Sequence, residues 1–312
     1  MAHVPFEPTI AGGQALPPYV ATGVRLFGFP LVADAQHARD VCNKVIGIAP
    51  ANTGISFEPV LTGPNICSVI LEVLDYPSLS APTPPWNDLG GVAQQELFFS
   101  IPVVRKQNGQ VLEVGTLVTH IFVDDQGSAF TGREVLGLPK MPASFTLSRA
   151  FPQGGPIIMR VQGRKTVGGP IQVAQLVTIG LSFTRVPETP ARISRFLGPI
   201  DALFAHSNYF DQIEAANSAS AMPGFSSRVL IDPENPDQDA YRSVMRAVYA
   251  SNVTATQLLP FAVPVKLSSL VHLDIRSTLG IFTDAAGVAL STSPYIIDVD
   301  FTLGNLTTLW HD

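Results

Sequence analysis

The chain has 312 residues and a formal net charge of −6, with 14% charged residues against 46% hydrophobic ones. An acidic balance with no Lys/Arg cluster excludes nucleic acid and anionic membrane as expected partners, and no run nears the ~20 apolar residues of a membrane-spanning helix. Two cysteines, Cys42 and Cys67, build no disulfide framework, and no basic-then-apolar leader opens the chain, so a cytoplasmic protein is expected.

Residues 1–20 are rich in Pro and Gly and read as an extended arm, suited to packing on a neighbouring subunit. Residues 35–45 have helical spacing, with Asp34 as the cap. Strands are predicted at 66–76, 94–105 and 110–123, the last two joined through Gln107-Asn108-Gly109, a good hairpin turn. Further strands are predicted at 143–149, 157–163 and 171–186, all rich in Val, Ile, Phe and Thr. Residues 191–197 and 237–250 have helical spacing, so 188–250 reads as a helical elaboration on a β core. Strands resume at 260–277 and 293–303. The expected fold is therefore mainly β (α+β): an antiparallel meander closing into a barrel with peripheral helices, forming one domain over 1–312. Its low charge, about half the usual quarter of all residues, predicts a homo-oligomer that buries surface between subunits.

Lys140 is the most informative residue. It is one of five lysines, and it alone lies between Leu138-Pro139 and Met141-Pro142. Pro139 fixes its own φ and Pro142 biases Met141 towards extended geometry, so the lysine is presented on a stiff backbone. Stripped of water, a lysine becomes a neutral amine, and a neutral amine attacks ketones to form a Schiff base. The bland alternative is a lysine whose stem lies on apolar surface while its head reaches water. Glu72 sits in an apolar run from Val69 to Leu74, where a carboxylate needs a partner or a proton.

The run from Asp124 to Lys140, with Gly132-Arg133-Glu134 and then Pro139-Lys140, resembles the signature of the acetoacetate decarboxylases. Glu72, after an apolar strand, and Glu96, five residues before Ile101-Pro102-Val103, match the two active-site glutamates of that family. The similarity runs clearly from Ile66 through Pro142. It implies a cone-like β barrel with Lys140 inside as the Schiff-base lysine and with Glu72 and Glu96 as catalytic partners. It also places Arg25, one residue out of register, near the family's N-terminal arginine. Where classical members carry a second lysine after the reactive one, this chain has Met141. Arg25 and Met141 are accordingly expected at the substrate, while Arg133 and Glu134 are expected to brace the lysine loop. With the adjacent cation missing, activation falls to burial, and neither carboxylate should form a tight bridge to the amine.

Other chemistry is thin. The six histidines show no metal-ligand spacing, and there is no HExxH, CxxC or GxSxG. His120 reads as a satisfied strand histidine. No metal, nucleotide or flavin is called for. The expected function is a cofactor-independent lyase that forms a Schiff base between Lys140 and a keto acid. The leading reaction is decarboxylation of a β-keto acid such as acetoacetate. The alternatives are an aldolase or dehydratase acting on pyruvate-like keto acids, or a non-catalytic barrel that binds an apolar ligand.

Overall fold

The computed structural model describes residues 16–46, 51–84, 86–180, 184–185, 221–231, 239–304 and 306–311. The first part of the chain forms β1 (Tyr19–Asp34), α1 (Ala35–Val45), β2 (Ile55–Pro59), β3 (Leu61–Gly63), β4 (Ile66–Ser80), β5 (Gly91–Gln107) and β6 (Gln110–Val123). Then come α2 (Gln126–Glu134), β7 (Lys140–Pro142), β8 (Ser144–Thr146), β9 (Ile157–Gly163), β10 (Gln172–Ile179) and β11 (Thr184–Arg185). The last part forms β12 (Ala221–Ile231), β13 (Asp239–Leu258), β14 (Phe261–Leu267), α3 (Ile275–Leu279), β15 (Val288–Ser291), β16 (Tyr295–Leu303) and β17 (Thr307–His311).

The large sheet curls onto itself. Strands β5, β4, β1, β16, β13, β12 and β6 follow one another by hydrogen bonding, and β6 pairs back to β5 to close the ring. Within this sheet the β12–β6 and β6–β7 pairs are parallel. The smaller sheet runs β11-β14-β10-β9-β8, with β15 on β14.

Period-two alternation divides the two faces of the ring strands. Phe27, Phe29 and Leu31 of β1, Val69, Leu71 and Val73 of β4, and Leu97, Phe99 and Ile101 of β5 are buried. They share one core with Met159 of β9, Val177 of β10 and Val265 of β14, so this face packs on the smaller sheet. The alternate positions, among them Leu26, Leu74, Tyr76 and Phe98, turn the other way and pack with Val299 and Phe301 of β16. That second face surrounds the candidate site.

The mainly β expectation holds. Helix α1 spans 35–45, and the Asp34 carboxylate accepts hydrogen bonds from the backbone N–H groups of Gln36 and His37. The 107–109 turn holds as well: Asn108 and Gly109 both take positive φ (50° and 79°), as a two-residue hairpin loop requires.

Three local expectations fail. Residues 239–258 form β13, not a helix, although Tyr241, Val244, Met245 and Val248 carry helical spacing. Pairing with β12 on one side and β16 on the other overrides that pattern. The predicted strand over 260–277 ends at Leu267; Ile275–Leu279 is a helix capped by Asp274 and stopped by Gly280 in the left-handed region. The arm predicted over 1–20 already belongs to β1 from Tyr19, whereas 1–15 and the helical expectation at 191–197 fall outside the described residues.

Candidate active site

Lys140 opens β7, opposite Ile121 of β6. The route to it is a tight reversal after α2. The Val135 N–H bonds Thr131 O, the Leu138 N–H bonds Gly132 O at 2.9 Å, and between them Gly137 takes φ 63°. Ser226 of β12 donates to Leu136 O at 2.9 Å and ties the reversal to the ring. The lysine stem then runs back across α2 at Gly132. A Cβ on Gly132 would lie 2.3 Å from Lys140 Cδ, so only glycine lets the stem pass. Arg133 and Glu134, expected to brace this loop, lie exposed on the last turn of α2. Backbone hydrogen bonds and Ser226 hold the loop.

The lysine is 6% exposed and Glu96 5%. Lys140 Nζ donates to Glu96 Oε2 at 2.8 Å and to Ser128 Oγ at 3.0 Å. Glu96 Oε1 in turn accepts from the Tyr76 hydroxyl at 3.3 Å. Ser128 is fixed from below, because its backbone N–H bonds the Asp125 carboxylate that caps α2. The expectation that no carboxylate would grip the amine is therefore overturned. The cause is topological: β5, β6 and β7 are consecutive neighbours, with Glu96 opposite Val123 and Lys140 opposite Ile121, so both side chains project onto the inner face.

These groups line a cavity of about 180 Å³ inside the ring. Leu79, Trp86, Leu136, Leu138, Phe301 and Leu303 make its apolar wall. Its polar lining includes Gln94, Glu96, Asp125, Ser128, Lys140 and Tyr249. Gln94 is 3% exposed, and its Oε1 has no hydrogen-bond partner.

Glu72 lies one strand from Glu96, opposite Phe98, and is not part of the cavity lining. Burial pushes its carboxyl up to about 7; a long hydrogen bond from Ser100 (3.5 Å) opposes this, and the charge of Glu96 adds to it. Burial also raises the phenols of Tyr76, Tyr249 and Tyr295, with the nearby carboxylates adding to the effect, so all three stay neutral donors. His120 is lowered to about 4 by burial, and its ring lies 3.1 Å from Thr119 Oγ1 and edge-on to Phe99.

Two expected substrate contacts are not brought to this cavity. Met141 follows Lys140 on a strand, so it faces the opposite side and packs against the main core. Arg25 shares its face with Phe27 rather than with the inward Val24 and Leu26. It forms a two-pronged pair with Asp298, 2.7 Å on each arm, and its Nη1 donates to Arg149 O at 2.8 Å. These groups line a separate pocket of about 380 Å³. Among the described residues no cluster of three or more His, Cys, Asp or Glu is placed to hold a metal, and no helix is long and apolar enough to cross a membrane.

No family model and no curated protein matches this sequence. Solved structures do resemble it. Acetoacetate decarboxylase from Legionella pneumophila subsp. pneumophila str. Philadelphia 1 superposes over 100% of this chain and 93% of its own, with TM-score 0.58 and 14% identity. An acetoacetate decarboxylase-like enzyme from Sphingomonas wittichii RW1 covers 99% of this chain and 100% of its own, with TM-score 0.53 and 14% identity. The enduracididine biosynthesis enzyme MppR, complexed with pyruvate, covers 95% of this chain and 92% of its own, with TM-score 0.51 and 12% identity. The chain has the acetoacetate decarboxylase fold.

Proposed function

We propose that this protein is a Schiff-base lyase acting on a small carbonyl compound, with Lys140 as the nucleophile. The observation that carries the reading is a buried amine on the wall of a cavity with two of its N–H bonds occupied. Glu96 and Ser128 take those two, which leaves the third tetrahedral position of Nζ for a ligand in the cavity that Lys140 lines. Loss of that third proton to cavity water turns the lone pair towards a bound carbonyl carbon. The C–N bond then forms, the carbonyl oxygen leaves as water, and the iminium withdraws electrons from the neighbouring carbon. An iminium nitrogen keeps a single hydrogen. The charged Glu96 retains it, and Ser128 is freed to hold the departing hydroxyl.

The cavity charge favours aldol-type cleavage or addition. Among the described lining residues Lys140 is the only cation, faced by Glu96 and Asp125. A β-hydroxy iminium loses its hydroxyl proton to the Glu96 carboxylate, and the Cα–Cβ electron pair becomes an enamine as the aldehyde departs. Protonation of the enamine and hydrolysis of the iminium return Lys140. Decarboxylation of a β-keto acid such as acetoacetate is the second reading, favoured by the apolar wall, which would solvate a substrate carboxylate poorly. Both use the same iminium and need no other electron sink.

The test is borohydride trapping with pyruvate, acetoacetate and a β-hydroxy ketone, followed by mapping of the mass adduct. An adduct on Lys140, lost in Lys140→Ala together with turnover, is the expected result. No adduct across the panel overturns the mechanism, and ligand affinity unchanged in Lys140→Ala would leave a binding barrel instead. Release of CO₂ from acetoacetate separates the two reactions.

A further inference from the structure

Within the proposed Schiff-base reading, on which this inference rests, we infer that Gln94 selects the substrate: it reads a hydroxyl group carried a few bonds from the carbonyl carbon. Gln94 precedes Glu96 by two residues on β5, so both side chains project from the same face, their Cα atoms roughly 6.6 Å apart. Both line the Lys140 cavity. Gln94 stands opposite Tyr76 in the ladder, but the Tyr76 hydroxyl is given to Glu96. The Gln94 carbonyl oxygen is thereby left buried and without a partner, the only such cavity-lining atom among the described residues.

A buried amide oxygen in that condition is costly unless something in the cavity donates to it. Water can do so while the cavity is free of ligand, since the space and the polar wall suffice. A ligand displaces that water, and one that brings no donor leaves the oxygen bare. The chemistry of the missing group follows by elimination. A carboxylate only accepts hydrogen bonds, so it cannot satisfy Oε1, and it would face Glu96 and Asp125 across the cavity. An ammonium donates, but it would have to sit beside the Lys140 cation. A neutral hydroxyl donates to Oε1 without adding charge. If the amide turns over, the hydroxyl oxygen can still accept from Nε2. A carbonyl compound with a hydroxyl on the second carbon from the carbonyl fits this spacing and is also the substrate of an aldol-type cleavage, for which the hydroxyl turns its single proton from Gln94 Oε1 to the Glu96 carboxylate on the same strand face. Simple acetoacetate lacks the group.

The experiment compares 4-hydroxybutan-2-one with its near-isostere pentan-2-one, and with acetoacetate, by the concentration giving half-maximal borohydride trapping on Lys140. The wild type should favour the hydroxy ketone over pentan-2-one by at least about 10-fold, the scale of one unsatisfied buried acceptor. Gln94→Leu should erase that preference, largely by trapping pentan-2-one better, and Gln94→Met gives the same readout if the leucine variant does not fold. No preference in the wild type, or a preference that survives both substitutions, overturns the assignment. Acetoacetate trapped best, with that advantage lost in Gln94→Leu, also overturns it and assigns the amide N–H to a carboxylate. Should no compound trap at all, the Schiff-base reading fails. Ligand-induced thermal shifts with the same compounds then decide on Gln94: hydroxy-ketone-selective stabilisation lost in the variants supports it, and its absence refutes it.

Discussion

Two cation–carboxylate pairs lie on opposite faces of the same curled sheet, at nearly equal distances. Lys140–Glu96 closes at 2.8 Å with both side chains 7% exposed; Arg25–Asp298 closes at 2.7 Å with 31% and 29%. Distance therefore does not distinguish them, but water does. Inside the ring the two charges are stripped of solvent, and such a pair persists only when its remaining hydrogen-bonding capacity is filled. Ser128 and Tyr76 fill part of it, and the third N–H of Nζ is left to whatever occupies the cavity. On the other face the guanidinium and carboxylate keep much of their hydration and gain geometry from the two-pronged contact. The cations differ as well. A lysine can give up its proton and become a nucleophile, whereas an arginine stays charged throughout the working range. The buried pair has reactive potential, and the wet one is a clasp between β1 and β16.

The sharpest way to break this comparison is Glu96→Gln. Removing one member of a buried pair strands the other charge, which typically costs about 3–5 kcal/mol. Urea unfolding should record a loss of that order. Because the substituted amide can still accept a hydrogen bond from Nζ, a borohydride adduct should remain detectable. Turnover should fall by about 10²- to 10⁴-fold, the usual contribution of a positioned proton-transfer group. A variant of unchanged stability would show that the pair is not desolvated as the structure has it.

The two pairs are unequally legible in the sequence. Lys140 stands out because Pro139 and Pro142 flank it, and Glu72 because a carboxylate interrupts an apolar strand. Glu96 is reached through resemblance, and the structure brings it, not Glu72, into contact with the amine. Ser128 carries no signal, since α2 contains two glycines and little apolar periodicity. Tyr76 and Gln94 are recoverable in principle, each in period-two register with a glutamate on its own strand. Arg25 is misplaced for the opposite reason: β1 contains Gly23, Gly28 and Pro30, residues that ordinarily end strands, so its alternation is hard to read. Gly28 is there because a Cβ would collide with the Tyr295 ring at 2.0 Å. Long-range pairing makes β13 a strand against its helical spacing, and no local pattern encodes such pairing.

Glu72 offers a smaller effect with a definite sign. Its folded-state carboxyl is raised to about 7 from an ordinary 4.5, so the native state binds a proton that the unfolded chain has released. The stability it contributes is fully present below pH 4.5 and is lost as pH rises through about 7. Wild-type stability should therefore decline relative to Glu72→Gln between about pH 5 and about pH 8, by up to about 3 kcal/mol. Paired urea titrations at the two pH values measure this, and parallel slopes for the two proteins would refute it. In the same variant, any limb of the rate profile near pH 7 that belongs to Glu72 should vanish.

The smallest effect belongs to the wet pair. Arg25→Ala or Asp298→Asn should each cost only about 1 kcal/mol, the upper end for a partly exposed pair with two-pronged geometry. The direction with pH is the reverse of that for Glu72. The hydrogen bond from Arg25 holds the Asp298 carboxyl below its ordinary value, so its contribution is present above about pH 4 and is lost as pH falls through the lowered value. Neither variant should change borohydride trapping on Lys140, because Arg25 faces the smaller sheet's side of β1 and lines a different pocket. High salt should erode this contribution, because exposed charges are screened, while leaving the Lys140–Glu96 contribution nearly intact. If Arg25→Ala instead weakened substrate trapping about 10-fold with unchanged urea stability, the separation of the two faces would be wrong. Arg25 would then rejoin the site at which the resemblance first placed it.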